Sequence, residues 1–342
     1  MKYWFFRNHN WYTMAPCSIQ PSWSIKVDVL MEFMHTDFLG TAAWIWLLFV
    51  GIVVALLAFD LGVLHKDDHE IGVKESLLLS GGYITAACLF GAWVWWYLGS
   101  ESGMNYFTGF AIEKSLSMDN VFVIAMIFSF FAIPRQYQHR VLFWGILGVI
   151  VLRAIMIGLG AALVKEFSWV LYLFGAFLVI TGIKMWFMAD SKPDIENNPI
   201  LKFLRKRMRV TEGLRGNAFV VNEPDPKTGK VVRFATPLLL ALVLIEFVDL
   251  IFAVDSVPAI FAITTDPFIV YTSNIFAILG LRALYFALAA MIHRFHYLKY
   301  ALAMVLVFIG SKIFLVNFIG KFPPAFSLSV TLGLIAGGVL FS

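Results

Sequence analysis

Two acidic clusters sit inside long apolar runs of this chain. The first reads Glu113-Lys-Ser-Leu-Ser-Met-Asp119-Asn120 and flows into Val-Phe-Val-Ile-Ala-Met-Ile-Phe. The second reads Asp249-Leu-Ile-Phe-Ala-Val-Asp255-Ser256, continues as Val-Pro-Ala-Ile-Phe, and is preceded by Glu246. Both clusters pair their carboxylates at the same six-residue spacing. A carboxylate in a membrane helix is costly unless it is neutralised, paired or bound to a cation. Carboxylates with an amide form an oxygen-rich set, which suits hard or borderline cations such as Mg, Ca or Mn. Copper and zinc prefer His and Cys, and none of the seven histidines falls deep in an apolar run. The candidate metal ligands are therefore Glu113, Asp119, Asn120, Glu246, Asp249 and Asp255. Met118 is either a soft extra ligand, which would lean toward manganese, or ordinary helix packing.

The elements that carry these residues must be membrane helices. The chain has 342 residues, is 60% hydrophobic and only 14% charged, and has a mean hydropathy of +0.82. Soluble domains are far more charged, so this composition indicates an all-α, multi-span membrane protein. The 34 Phe and 11 Trp suit lipid interfaces. A net charge of +4, held mostly in short loops, gives no indication of nucleic-acid binding. Two cysteines, Cys17 and Cys88, exclude a disulfide framework and a thiolate metal site.

At about 20 apolar residues per crossing, nine spans are expected: 37–64, 73–99, 104–132, 140–164, 168–189, 236–263, 268–292, 297–319 and 325–342. The segment 190–235 is polar, and its stretch from Lys202 to Arg209 is read as an amphipathic surface helix or a solvated basic linker against anionic headgroups. Loops with Lys66, Arg135 and Arg140, the 190–235 linker, and Arg294 with Lys299 alternate with nearly uncharged ones. That alternation places the N-terminus outside and the C-terminus in the cytoplasm of a cell membrane. Residues 1–36 lack the continuous apolar core of a signal peptide, and Met31 or Met34 is an alternative start. The last span ends at Ser342 without a basic anchor.

Superposing Asp119 on Asp255 reveals a longer repeat. Leu152-Arg153-Ala154 answers Leu281-Arg282-Ala283, and Gly182-Ile-Lys184 answers Gly310-Ser-Lys312. Two three-helix blocks, 104–189 and 236–319, thus share an order of carboxylate, carboxylate, arginine, lysine, flanked by residues 37–103 and 320–342. An odd number of helices per block requires opposite orientations, the inverted-repeat arrangement of many secondary transporters.

On a regular helix, Glu113 shares a face with Asn120, and Asp249 with Ser256. Asp119 and Asp255 lie roughly 120° away. Aiming Glu246, Asp249 and Asp255 at one ion needs a break, which Pro258 is expected to supply beside Asp255. Ser115, Ser117 and Asn120 are candidates for a local distortion of the other helix. A second reading stands beside the metal site: the acids pair with Lys114, Arg153, Lys184, Arg282 and Lys312 to stitch helices together. Asp60, near the end of span 1, suits an interfacial position or a gate.

These motifs, with Phe174-Gly-Ala-Phe-Leu, Thr265-Asp-Pro-Phe-Ile-Val and Ala277-Ile-Leu-Gly-Leu-Arg-Ala-Leu-Tyr-Phe, carry a resemblance. From about residue 38 to its end, the chain resembles the TerC family of integral membrane proteins, and within it the Alx branch, whose members are implicated in manganese export. The resemblance implies a metal site built from the two acidic helices, with Mn(II) as the transported ion and no tightly bound cofactor. Tellurite resistance, the source of the family name, concerns an oxyanion that would want converging Arg, Lys or helix N-termini. Carboxylates do not supply that, so an indirect effect through metal balance is expected. No phosphate-cradling motif surrounds Gly213 or Gly216. The expected function is therefore a gradient-driven, non-enzymatic exporter of a divalent cation, with proton antiport the simplest coupling. A membrane partner that hands metal to exported proteins, or assists their assembly, is the alternative. An intramembrane aspartyl protease would want a Gly-x-Gly-Asp context absent from both motifs.

Overall fold

The structure, a computed structural model, describes residues 34–64, 73–188, 195, 198–225, 229–288, 297–320 and 322–342. Within its helices, the side chains of residues 60–64, 73, 119, 282, 288, 317 and 319 fall outside the description. Most of the leader, Lys66, Arg294, and the side chains of Asp60, Asp119 and Arg282 therefore lie outside the described residues.

Helices cover all nine apolar runs within the described residues. They are α1 (Ala43–Leu64), α2 (Val73–Leu98), α3 (Ser100–Phe130), α4 (Arg135–Glu166), α5 (Val170–Phe187), α7 (Pro237–Phe261), the pair α8 (Pro267–Leu279) and α9 (Leu281–Leu288), α10 (Leu298–Ile319) and α11 (Pro324–Leu340). Five of them, α2, α4, α5, α7 and α10, contain segments long and apolar enough to cross a membrane by length and composition, while α1, α8 and α11 contribute shorter apolar stretches. The helix α3 is 31 residues long and falls outside both groups. Its middle carries Glu113, Lys114 and Asp119, the charges that mark the first acidic motif.

Two compact units divide the chain, residues 1–51 and 52–342. In the first, span 1 begins later than expected. Residues 37–42 form a hairpin of β1 (Asp37–Phe38) and β2 (Thr41–Ala42). Leu39 and Gly40 turn it with positive φ, as a two-residue hairpin demands. The Trp46 indole donates to the Phe38 carbonyl at 3.0 Å and fastens the hairpin to α1.

In the second unit, helices of the two expected blocks pack against each other. The first helix of each block packs on the second helix of the other, α3 on α8 and α7 on α4, and the third helices α5 and α10 pack together. Glycines allow the close approaches. A Cβ on Gly310 would sit 2.6 Å from the Gly175 carbonyl, and one on Gly182 would sit 2.8 Å from the Ala303 carbonyl. Small residues at crossings let membrane helices gain packing where no hydrophobic drive exists between them. Large apolar side chains such as Leu78, Leu89, Trp96, Ile180 and Phe187 face outward, the reverse of a soluble protein's surface.

The helix α7 corrects the sequence expectation at Pro258. It runs unbroken from Pro237 to Phe261, with Pro258 inside. The proline lies in the last turn, where its missing N–H removes one bond and its fixed φ still suits a helix. No backbone unwinds beside Asp255. The helix α3 is likewise continuous through Ser115, Ser117 and Asn120, and Ser115 bonds back to the Ala111 carbonyl at 2.7 Å. The break occurs instead in span 7, at Gly280 between α8 and α9.

The linker holds more structure than composition suggests. The helix α6 (Pro199–Arg207) is capped by Asn198, whose side chain accepts from the Ile200 N–H at 2.9 Å. Beyond it, β3 (Val220–Pro224) pairs antiparallel with β4 (Val231–Ala235), with Val220 opposite Ala235 and Pro224 opposite Val231. The Gly229 N–H bonds to the Asp225 carbonyl and the Asp225 N–H to the Lys230 carbonyl, 2.8 Å each, where the hairpin turns. Phe219 and Leu214 pack onto the end of the bundle against its core around Val121, Leu142 and Leu238.

Candidate cation-binding site

At the centre of the second unit, α4 delivers Arg153, whose side chain is 1% exposed. Its Nη1 donates to Glu113 Oε1 from α3, to Ser256 Oγ at 2.9 Å from α7, and to Asn274 Oδ1 at 3.0 Å from α8. Its Nε and Nη2 reach the two Asp249 oxygens at 3.3 Å each. Asn120 donates to Asp249 Oδ1 at 3.0 Å, and Asn274 donates to Glu113 Oε2 at 3.1 Å. Four helices thus meet in one hydrogen-bonded cluster. Glu113 is 1%, Asn120 4% and Asp249 5% exposed.

The spacing of the motifs explains this convergence. Glu113 and Asn120 are seven residues apart on α3, and Asp249 and Ser256 on α7, so each pair shares a helical face. Those two faces meet at Arg153. Without a break in α7, the other acids diverge as helical geometry requires. Asp255 turns toward α5, where Thr181 Oγ1 donates to its Oδ1 at 3.3 Å. Glu246 lies against Gly148 of α4, and its Oε2 is buried with no hydrogen-bond partner among the described residues. Neither reaches the Arg153 cluster through a hydrogen bond among those described.

Of the six ligand candidates, the structure therefore brings Glu113, Asn120 and Asp249 together and leaves Glu246 and Asp255 on other faces of α7. The Asp119 side chain lies outside the described ones. Among the described residues, no group of three or more His, Cys, Asp or Glu is arranged to hold a metal ion. Arg153 occupies the space between the two carboxylates that such a group would use. It makes the buried pairs set out for it in the stitching alternative, with both Glu113 and Asp249. Lys184 is exposed on α5 and Lys312 half-buried on α10.

One participant escaped the sequence reading, and one cation expected to pair with the acids, Lys114, binds a backbone carbonyl instead. Asn274 bridges Glu113 and Arg153 from α8; its signal was the Thr272-Ser-Asn274 run inside an otherwise apolar helix. Thr272 and Ser273 spend their hydroxyls on the Phe268 and Ile269 carbonyls, 2.7 Å each, which leaves the amide to serve the cluster. Lys114 Nζ donates to the Ala277 carbonyl at 3.1 Å, at the C-terminal end of α8. A cation there satisfies a carbonyl orphaned by the helix break and complements the helix dipole. A Cβ on Gly280 would lie 2.8 Å from that ammonium, so glycine leaves it room.

Comparison with known proteins agrees with this architecture. The model of the family described as "Integral membrane protein TerC family" matches residues 98–342. An uncharacterized membrane protein of Rickettsia bellii (strain RML369-C) is 49% identical over 297 residues, covering 87% of this chain and 96% of its own. Another from Myxococcus xanthus is 48% identical over 298 residues, covering 87% and 91%. Alx of Escherichia coli (strain K12), provisionally named a membrane-bound redox modulator, is 46% identical over 300 residues, covering 85% and 91%. No solved structure matches the chain. With its acidic helices, its outward apolar face and these relatives, the chain belongs to the TerC family of integral membrane proteins.

Proposed function

We propose that this protein is a secondary exporter that moves Mn(II), or a closely related divalent cation, out of the cytoplasm in exchange for protons. One observation carries the proposal. The leading carboxylates of the two motif copies, Glu113 and Asp249, come from different helices and meet at one deeply buried cluster. Such intramembrane charge marks an ion pathway. The binding centre comprises Glu113, Asn120 and Asp249, Asp119 is the neighbouring position of Asn120 in the α3 sequence, and Glu246 and Asp255 act as flanking stations along α7. The chemistry of oxygen donors favours a hard or borderline divalent ion. Manganese is redox-active, which accords with the modulator name of the Alx relatives.

The proposal includes nine membrane crossings and an inverted repeat. The reciprocal packing of α3 on α8, α7 on α4, and α5 on α10 supports it, because a two-fold relation exchanges those pairs. Orientation with the linker in the cytoplasm is supported by its contacts: Arg140 stacks over Phe219 at 5.2 Å and Arg205 over Phe130 at 5.9 Å. Among the described residues, the Arg135–Arg140 loop and the linker therefore share one face of the bundle, as the positive-inside rule expects.

A second reading, a membrane partner in metal delivery or assembly, draws on the β3–β4 hairpin. Its outward Val220 and Val231 are exposed on a two-stranded sheet, a surface suited to a protein partner.

Everted vesicles containing purified protein, given a proton gradient, discriminate the two. Mn(II) accumulation by the wild type, abolished in Asp119→Asn and in Asp255→Asn with insertion intact, is the expected result. Wild-type export by both variants would remove these carboxylates from the mechanism. Absence of uptake by folded wild-type protein would favour the delivery role, and co-purification would then seek the protein bound to the hairpin.

A further inference from the structure

Export of a cation does not account for the charge on α6. That helix holds Lys202, Arg205, Lys206 and Arg207 with no acidic residue, and all four side chains are exposed. The polar segment 190–235 around it carries ten Lys or Arg against six Asp or Glu. Two of those acids are committed elsewhere, Asp225 to Arg209 at 3.2 Å and Glu223 to Arg215. Helix stability alone does not explain the pattern either. Cations in the last turn complement the helix dipole, but Lys202, the fourth residue of α6, gains nothing from it.

The helix sits where the bundle ends. Leu201, 1% exposed, anchors it, and α6 packs against α7. The Arg205 guanidinium lies over the ring of Phe130, the residue that closes α3. Phe203 is two residues from Leu201, roughly 200° round the helix, and it is 59% exposed. Arg207 stacks over that ring at 5.8 Å, and Lys206 lies roughly 60° to its other side. An exposed aromatic ring between cations, beside the last turn of an apolar helix, matches the headgroup layer in charge and polarity. The ring suits the acyl boundary and the cations suit phosphates, and the cytoplasmic leaflet is the anionic one. We propose that α6 is a docking element for the headgroups of anionic phospholipids. Lys206 and Arg207 take phosphate oxygens, the guanidinium through paired N–H groups, and Phe203 lies beneath them. This goes beyond export and does not depend on which ion is carried.

Hydrogen exchange over residues 199–209 tests the inference on the full-length protein, reconstituted in phosphatidylcholine alone or mixed with phosphatidylglycerol. In wild type the anionic lipid should slow exchange of α6 by about tenfold, and high salt should abolish the slowing, because it screens exposed charges. Lys206→Gln combined with Arg207→Gln should lose the slowing. Arg233→Gln, which removes one exposed cation from β4, should retain it. All three substituted side chains are exposed, so the variants keep their cores. Equal exchange of wild type in the two lipids overturns the proposal and leaves the patch to an acidic protein partner. Slowing that persists in the double variant, or that survives high salt, overturns it as well, because charge would not be its source. Neither result bears on manganese export, which this experiment does not read.

Discussion

Gly148 of α4 lies directly under the carboxylate of Glu246 of α7: a Cβ at Gly148 would overlap both carboxylate oxygens and the carbon between them. The two helices touch because one residue has no side chain and the other has a polar one folded over it. Overpacking of this kind typically costs about 1–3 kcal/mol. Gly158, on the same helix, has nothing within 4 Å of such a Cβ. Gly148→Ala should therefore lower the thermal midpoint of the purified protein, while Gly158→Ala should leave it unchanged or raise it, since alanine favours helix over glycine. Equal midpoints for the two variants would show that Glu246 moves aside freely.

Arg153 and Glu113 supply a second measurement. Removing one member of a buried pair strands the other, at a cost of about 3–5 kcal/mol. Neutralising both leaves only Asp249 without its cation. Arg153→Met should thus be strongly destabilised, and Arg153→Met with Glu113→Gln should recover part of the loss. The double-mutant cycle should give a coupling of about 0.5–3 kcal/mol. A coupling near zero would mean that Ser256, Asn274 and Asp249 hold the arginine without help from Glu113.

The legibility of this site in the sequence followed helix periodicity. Glu113 with Asn120, and Asp249 with Ser256, were placed on common faces by their seven-residue separations, and the structure brings both faces to one arginine. Arg153 itself was visible as a charge in an apolar run, but its partners were not, because nothing in a single chain states which helix faces which. Pro258 misled for a related reason. A proline breaks a helix interior but is tolerated in the closing turn, and where α7 closes depends on the Thr264–Asp266 segment and the start of α8. There Asp266 caps α8 by accepting from the Phe268 N–H at 2.9 Å. Span 7 reads as one run over 268–292, and its stop at Gly280 was not legible, because the Lys114 ammonium that reaches the Ala277 carbonyl there comes from another helix.

The Lys114 contact yields a third expectation. With the ammonium gone, the end of α8 loses both a hydrogen-bond donor and a favourable charge. Lys114→Met should therefore increase backbone hydrogen exchange around residues 277–284, and cost about 1–2 kcal/mol in stability, as charges near partly buried helix ends do. Lys114→Arg, which keeps charge but adds bulk beside Gly280, should restore part of the protection. Exchange in Lys114→Met equal to wild type would mean that the break at Gly280 is held by packing against Tyr83 alone, whose Cβ would lie 3.2 Å from a glycine Cβ.

A bound cation must also stabilise the fold that binds it, so manganese should raise the unfolding midpoint even when nothing is transported. For one site, ligand at about a hundredfold excess over Kd adds about 2.7 kcal/mol. Asp249 is the carboxylate that Arg153 and Asn120 both hold, so Asp249→Asn should abolish most of that shift. It removes charge from the site while keeping an oxygen and nearly the same volume, which separates a lost ligand from a distorted core. A manganese shift undiminished in Asp249→Asn would move the binding site away from the Arg153 cluster, toward Asp255 and Thr181 on the other face of α7.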